Sequence, residues 1–170
     1  NLFRSIDSGV TWVNLANAVT TLNYNVALPP KGSTWQYAVS AVNAAGVSPK
    51  SIAVEYNNVA TVPSTPATPT LIWNADKTLK VNWTFVTDNS GSAITAYKVQ
   101  RLVGTVWTLV STTAANINTA TVAGDVPGTA YSIRIIAVNA IGESTPSAAA
   151  NTVVPASKSG APMNLTGTTN

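Results

Sequence analysis

Short apolar runs alternate with polar residues along most of the chain, and turn-forming residues separate them. Leu79, Val81 and Trp83 alternate with Lys80 and Asn82, the period of two that puts one face of a strand into a core and the other into water. A strand is predicted just before it over Thr70–Trp73, behind a proline-rich entry. Further strands are predicted around Ile94, Ala96 or Tyr97, and Val99, then over Trp107–Val110 and Ala120–Val122. Tyr131, Ile133, Ile135 and Ala137 form one face of another, and Ala148–Val154 is the last. Asp88-Asn89-Ser90-Gly91 predicts a turn, because Asp and Asn bond their own backbone and Gly tolerates a positive φ. No stretch sustains a helical period. The pattern predicts an all-β chain built as a sandwich.

The pattern also repeats. Residues 35–46, Trp-Gln-Tyr-Ala-Val-Ser-Ala-Val-Asn-Ala-Ala-Gly, mirror residues 131–142, Tyr-Ser-Ile-Arg-Ile-Ile-Ala-Val-Asn-Ala-Ile-Gly. Asn43 and Asn139 lie 96 positions apart, as do Gly46 and Gly142, while Trp12 and Trp107 lie 95 apart. Such a period is too long for a solenoid unit and fits a whole small domain. Residues 1–58 then read as the C-terminal part of one domain, 59–66 as a Pro-containing linker and 67–155 as a complete domain. Residues 156–170 read as a linker and the first strand of a further repeat, where Pro162-Met163-Asn164-Leu165 resembles Pro69-Thr70-Leu71.

The complete unit carries Trp83 on its second strand and Tyr97 on its third. Pro127-Gly128-Thr129-Ala130-Tyr131 leads into Ile135, Ala137, Val138 and Asn139, and Gly142-Glu143-Ser144 with Pro146-Ser147 leads to the last strand. In this combination it resembles a fibronectin type III domain over nearly its full length, and the whole chain resembles a tandem array of such immunoglobulin-like β-sandwiches of bacterial or phage type. The resemblance implies that Trp83 plugs the space between two sheets. It implies that Tyr131 forms a tyrosine corner after the Pro127-Gly128 turn. At that position the first unit has Trp35, which keeps the bulk without the phenolic oxygen. Gly46 and Gly142, after Asn43 and Asn139, are expected to allow the hairpin before each final strand. The resemblance implies spacing, binding and adhesion rather than catalysis. The Arg-Gly-Asp tripeptide of cell-adhesive members is missing from both corresponding loops, residues 43–48 and 139–144.

Composition narrows the chemistry. Hydrophobic residues make up 45% of the chain and charged residues only 9%, against about 25% in typical soluble domains. Cores can form, and the surface is neutral and polar. The nine cations are scattered, with no basic stripe to displace counterions from a nucleic acid. The sequence has no His and no Cys, so His-dependent triads, thiol nucleophiles, disulfides and the common zinc sites are not encoded. No apolar run is long enough to span a bilayer, and no membrane insertion of this segment is expected. The acids Asp7, Glu55, Asp76, Asp88, Asp125 and Glu143 fall in turns and at strand ends, where local hydrogen bonding favours Asp. No cofactor or metal is expected.

Of the five tryptophans, Trp73 is the candidate for a surface ligand such as a sugar, because it does not recur in the repeats; surface packing is the alternative. Asn82-Trp83-Thr84 and Asn164-Leu165-Thr166 match the N-glycosylation triplet. The joint at residues 61–69 has Pro63, Pro66 and Pro69 and favours extended, semi-rigid chain. These features predict a non-catalytic structural or adhesive segment of a long extracellular repeat protein, such as a surface filament, sheath, stalk or phage appendage. One alternative is an accessory array of a secreted polysaccharide-degrading enzyme. Another is a homopolymer completed by strands from a neighbour. The expected partners are other copies or neighbouring repeats, with cell-surface or polysaccharide ligands.

Overall fold

Alternation of apolar and polar residues makes strands of nearly every ordered segment in the computed structural model, which describes residues 1–124 and 126–156. Asp125, the Asn164 triplet and the strand expected past residue 156 lie outside the described residues. Among the described residues the elements are β1 (Leu2–Ser5), β2 (Val13–Ala16), β3 (Ser33–Val39), β4 (Val42–Asn43), β5 (Gly46–Val47) and β6 (Val54–Asn58). They continue with β7 (Thr70–Trp73), β8 (Leu79–Asn82), β9 (Ile94–Val103), β10 (Val106–Ala114), β11 (Thr119–Val122), β12 (Ala130–Asn139) and β13 (Ala150–Val153). The fold is all-β and contains no disulfide.

By contacts the chain divides into two compact units. Among the described residues, one holds Asn1–Ser64, Val86–Thr95 and Ala137–Ser144; the other holds those of 65–85, 96–136 and 145–156. The segment 61–64, expected from sequence to bridge two domains, is hydrogen-bonded within the first unit. Thr61 N donates to Ser90 O and Ser64 N to Asp88 O, which is why residues 86–95 group with it.

In the second unit, β11-β8-β7 forms one sheet, and a four-stranded sheet has the order β10-β9-β12-β13. β7 and β8 pair antiparallel from Thr70↔Asn82 to Trp73↔Leu79, and β11 pairs with β8 from Thr119↔Asn82 to Val122↔Leu79. The inward alternation of these strands places Leu79, Val81, Tyr97, Val99, Tyr131, Ile133 and Ile135 at 0–1% exposure. Each such side chain contributes roughly 1.5–3 kcal/mol by leaving water. Trp83 lies just past β8, buried, with Tyr97 tilted against it at 5.7 Å. β9 and β10 are joined by Gly104 and Thr105 alone, with Gly104 at φ +62, the glycine-first arrangement that a two-residue hairpin turn requires. β10 runs beyond its expected end at Val110 to Ala114, across a register shift between Leu109 and Ser111.

The first unit holds the sheet β2-β1-β3-β6 and the hairpin β4-β5. Its strands pair antiparallel, with Leu2↔Val39 and Arg4↔Tyr37 between β1 and β3, and Trp35↔Tyr56 between β3 and β6. It therefore repeats the order of the four-stranded sheet β10-β9-β12-β13. Residues 24–26, the counterparts of Ala120–Val122 in β11, lie outside any ladder.

Candidate functional site

The polar and aromatic groups singled out by the sequence concentrate at three places, and in each the backbone accounts for their position. The first is the turn before β12. Gly128 sits at φ +86, Gly128 N donates to Val154 O at 3.0 Å, and Val154 N donates to Thr129 O at 2.9 Å. This clamps the Pro127-Gly128 turn onto the end of β13 and aims Tyr131 back along the chain. The Tyr131 hydroxyl donates to Ala123 O at 2.9 Å, a bond from a phenol to backbone eight residues upstream. Trp73 stands edge-on to the same ring at 5.5 Å, and its Nε1 donates to Thr152 Oγ1 at 3.0 Å. The half-buried indole offered from sequence as a ligand platform is thus also held by the sandwich through Tyr131 and Thr152.

The second place is the hairpin after β12. Asn139 is buried. Its Oδ1 accepts from Ile141 N at 2.9 Å and Gly142 N at 3.1 Å, and its Nδ2 donates to Thr61 O at 2.8 Å and Asn89 O at 3.2 Å. One side chain thereby closes the hairpin and ties it to two other segments. Asn43 makes the first kind of bond, accepting from Ala45 N at 2.9 Å. Gly46 and Gly142 both have positive φ, at +137 and +155, where a Cβ would be strained.

The two serines past each hairpin were given no role from sequence, although Ser144 and Ser147 stand in the family signature. Ser144 Oγ accepts from Ala137 N, and Ser147 Oγ accepts from Ile135 N, both at 3.0 Å; each serine N–H donates back to the same residue's carbonyl at 2.8 Å. Ser48 and Ser51 do the same for Ala41 and Val39, at 2.9 and 3.1 Å. Here hydroxyls replace strand pairing across a stretch broken by Pro146 in one unit and Pro49 in the other, where a backbone donor is missing. The signal in the sequence is the serine pair recurring at the same offset as the asparagines.

The third place is a set of cations stacked on rings. The Arg101 guanidinium lies 3.8 Å from the Tyr131 ring centre and Arg134 lies 4.2 Å from Trp107, with Arg134 Nε donating to Gln100 Oε1 at 2.8 Å. In the first unit Arg4 lies 4.3 Å from Trp35, and Lys50 lies 4.7 Å from Phe3. Trp35 is half-buried under its arginine, unlike the buried Tyr131 at the matching position. Stacking of this kind contributes ~0.5–2 kcal/mol. It takes up four of the scattered cations and a face of each ring.

Three of the acids serve their own turns. Asp7 accepts from the Thr11 hydroxyl, from Thr11 N at 2.8 Å and from Ser5 Oγ at 2.7 Å. These bonds, the Thr11 hydroxyl first, hold its carboxyl down to about 2. Asp76 is likewise lowered, chiefly by the Thr78 hydroxyl and then by Thr78 N. Asp88 accepts from Ser90 N at 2.8 Å. Among the described residues no three His, Cys, Asp or Glu side chains gather as metal ligands would. A hollow of about 380 Å³ lies in the first unit against Leu2, Tyr24, Val26, Tyr37 and Val39. Its lining is mostly apolar and contains no acid.

Residues 64–153 match the family model described as the fibronectin type III domain, which covers more than half of the chain. The chain belongs to the fibronectin type III family. It is 34% identical over 145 residues to Endoglucanase B of Cellulomonas fimi, covering 81% of this chain and 13% of that protein. It is 34% identical over 90 residues to the putative receptor-type tyrosine-protein phosphatase mosPTP-1 of Aedes aegypti, covering 51% of this chain and 7% of that protein. The chain thus spans a small part of each relative. The FN1–FN3 domains of chicken CNTN1 superpose with a TM-score of 0.52 at 16% identity, covering 91% of this chain and 55% of that one. A segment of titin gives 0.53 at 22% identity, covering 92% and 55%. At these identities the likeness establishes fold, that of tandem fibronectin type III domains. Modules of this family are generally non-catalytic and typically extracellular.

Proposed function

We propose that the chain is a non-catalytic spacer within a long extracellular array of fibronectin type III repeats. The observation that carries this is the reuse of one structural plan 96 positions apart: Asn43 and Asn139, Ser48 and Ser144, and Ser51 and Ser147 make matching bonds in both repeats. The polar groups that recur maintain the module. Asp7, Asp76 and Asp88 hold their own turns. The neutral surface supports a structural or adhesive role, with like repeats and cell-surface polymers as partners.

A second reading is supported by the relative named Endoglucanase B, whose alignment covers 81% of this chain and so reaches into both repeats. In that reading the array is an accessory spacer of a polysaccharide-degrading enzyme. Peptide mapping of the intact polypeptide that carries this sequence separates the two. Flanks made only of further repeats and surface-attachment segments support the structural reading. A glycoside-hydrolysing domain in the flanks supports the accessory one. Turnover of a polysaccharide by the purified chain itself contradicts both.

A further inference from the structure

The turn at 88–91 and the hairpin after Asn139 hold more than their own loops. Thr61 N donates to Ser90 O at 3.0 Å and Ser64 N to Asp88 O at 3.2 Å, and Ser64 Oγ donates to Asp88 O as well at 3.1 Å. The Asn139 amide reaches Thr61 O at 2.8 Å, Asn89 O at 3.2 Å and Ser92 O at 3.5 Å. Val62 rests against Gly142, Pro63 and Ser90 are buried, and Lys31 Nζ donates to Thr61 Oγ1 at 3.4 Å. All of these residues belong to the first compact unit. A strap whose backbone groups are committed in this way is not a free linker.

Two glycines show why the strap fits there. Gly32 and Gly91 meet backbone to backbone: a Cβ on Gly32 would collide with the Gly91 carbonyl, and one on Gly91 with the backbone of Lys31 and Gly32. Gly128 stands 96 positions beyond Gly32 in the matching turn. Both have positive φ, +78 and +86, and both donate to the end of a later strand, Gly32 to Asn58 O and Gly128 to Val154 O. A Cβ on Gly128, however, would meet nothing within 4 Å. The turn calls for glycine at both places, and the contact calls for it at Gly32. The asparagines differ in the same sense: Asn43 and Asn139 each close a hairpin, and Asn139 also directs its amide at three carbonyls. We propose that the turn at 88–92 and the hairpin at 139–142 form a socket for a glycine turn of the adjoining repeat, here Lys31-Gly32, and fix segment 61–64 as a splint. The partner this socket fits is a turn with no Cβ at its tip, followed by a strap whose N–H and C=O groups complete the contact. The splint makes the spacer stiff at a segment that its prolines alone would leave semi-rigid. This deepens the spacer reading and rests on it only for what the splint is used for.

Amide hydrogen exchange followed by NMR on the full chain and its variants tests the socket. In the unaltered chain the amides of Thr61 and Ser64 are expected to be protected. Gly32→Ala forces the two turns apart, and Asn139→Asp keeps the acceptor that closes the hairpin while losing the amide donor. Each should speed exchange at Thr61 and Ser64 at least about tenfold. Gly128→Ala bears the same kind of φ strain without the collision and should leave both rates within about twofold. Unprotected Thr61 and Ser64 amides in the unaltered chain overturn the proposal. So does protection retained in Gly32→Ala or in Asn139→Asp, and so does an equal loss in Gly128→Ala. If Gly32→Ala fails to fold, Asn139→Asp decides, with Asn43→Asp as its control. A loss there that extends to Ile133 and Ile135, or that Asn43→Asp reproduces, overturns the proposal by making Asn139 a prop of the fold at large. Mapping of the flanks judges the spacer reading separately, so neither failure carries over to the other.

Discussion

Tyr131 and Trp83 are both buried aromatics with a polar atom, but they use it differently. The Tyr131 hydroxyl donates to Ala123 O, whereas Trp83 Nε1 makes no hydrogen bond. Tyr131→Phe is therefore expected to lower unfolding stability by about 1 kcal/mol, measured by urea denaturation. Trp83→Phe loses packing alone, while Trp83→Ala should cost ~3–5 kcal/mol by opening a cavity. Asp7 gives a pH prediction. Its pKa falls from the ordinary 3.8 to about 2 on folding, so its turn bonds stabilise fully above the unfolded value. That stabilisation is lost as pH drops from 3.8 through about 2. Carboxyl NMR titration should give a midpoint near 2 for Asp7 and a higher one in Thr11→Val, because the hydroxyl that contributes most is gone. An unchanged midpoint would show that Thr11 is not the cause.

At the scale of elements, alternation made β7, β8, β9, β11 and β12 legible, since each sets one face deeper than the other, although β12 buries Ile136 on its second face as well. The far end of β10 was not legible, because Ser111, Thr112 and Thr113 are polar and the register shifts before them. The serine latches were hidden for another reason. A serine beside a proline reads as loop until the register puts its hydroxyl opposite a strand amide. Ser147→Ala is expected to cost ~1–3 kcal/mol, because it leaves the buried Ile135 N–H without its acceptor. Ser51→Ala, at an exposed site, should cost markedly less, and denaturation of the two variants compares them. Two glycines separate backbone strain from collision. A Cβ at Gly128 would meet nothing within 4 Å, so Gly128→Ala bears only the strain of φ +86, about 1 kcal/mol. A Cβ at Gly124 would lie 2.0 Å from Lys77 O, so Gly124→Ala must displace backbone. It should lower the melting temperature more than Gly128→Ala.

For the whole molecule, a period of 96 residues in the sequence carried most of the account: two copies of one plan. The ring stacking of the scattered cations was not legible in the sequence, because the rings under Arg101 and Arg134 belong to other strands. The contacts of Trp73 were not legible either, because Tyr131 and Thr152 are distant in the chain. Function was less legible than fold, since the residues that recur hold the module together and are common to spacers of many kinds. The central claim is that β12 lays Ile133 and Ile135 into a closed core, whereas the matching Tyr37 and Val39 of β3 are accessible. Residue-resolved hydrogen exchange on the full chain tests it most directly. The amides of Ile133 and Ile135 should exchange only through global unfolding. Those of Tyr37 and Val39 should exchange at least about a hundredfold faster, because their face lacks the burial that contributes ~1.5–3 kcal/mol per large side chain. Equal protection at the two pairs of positions would contradict the account.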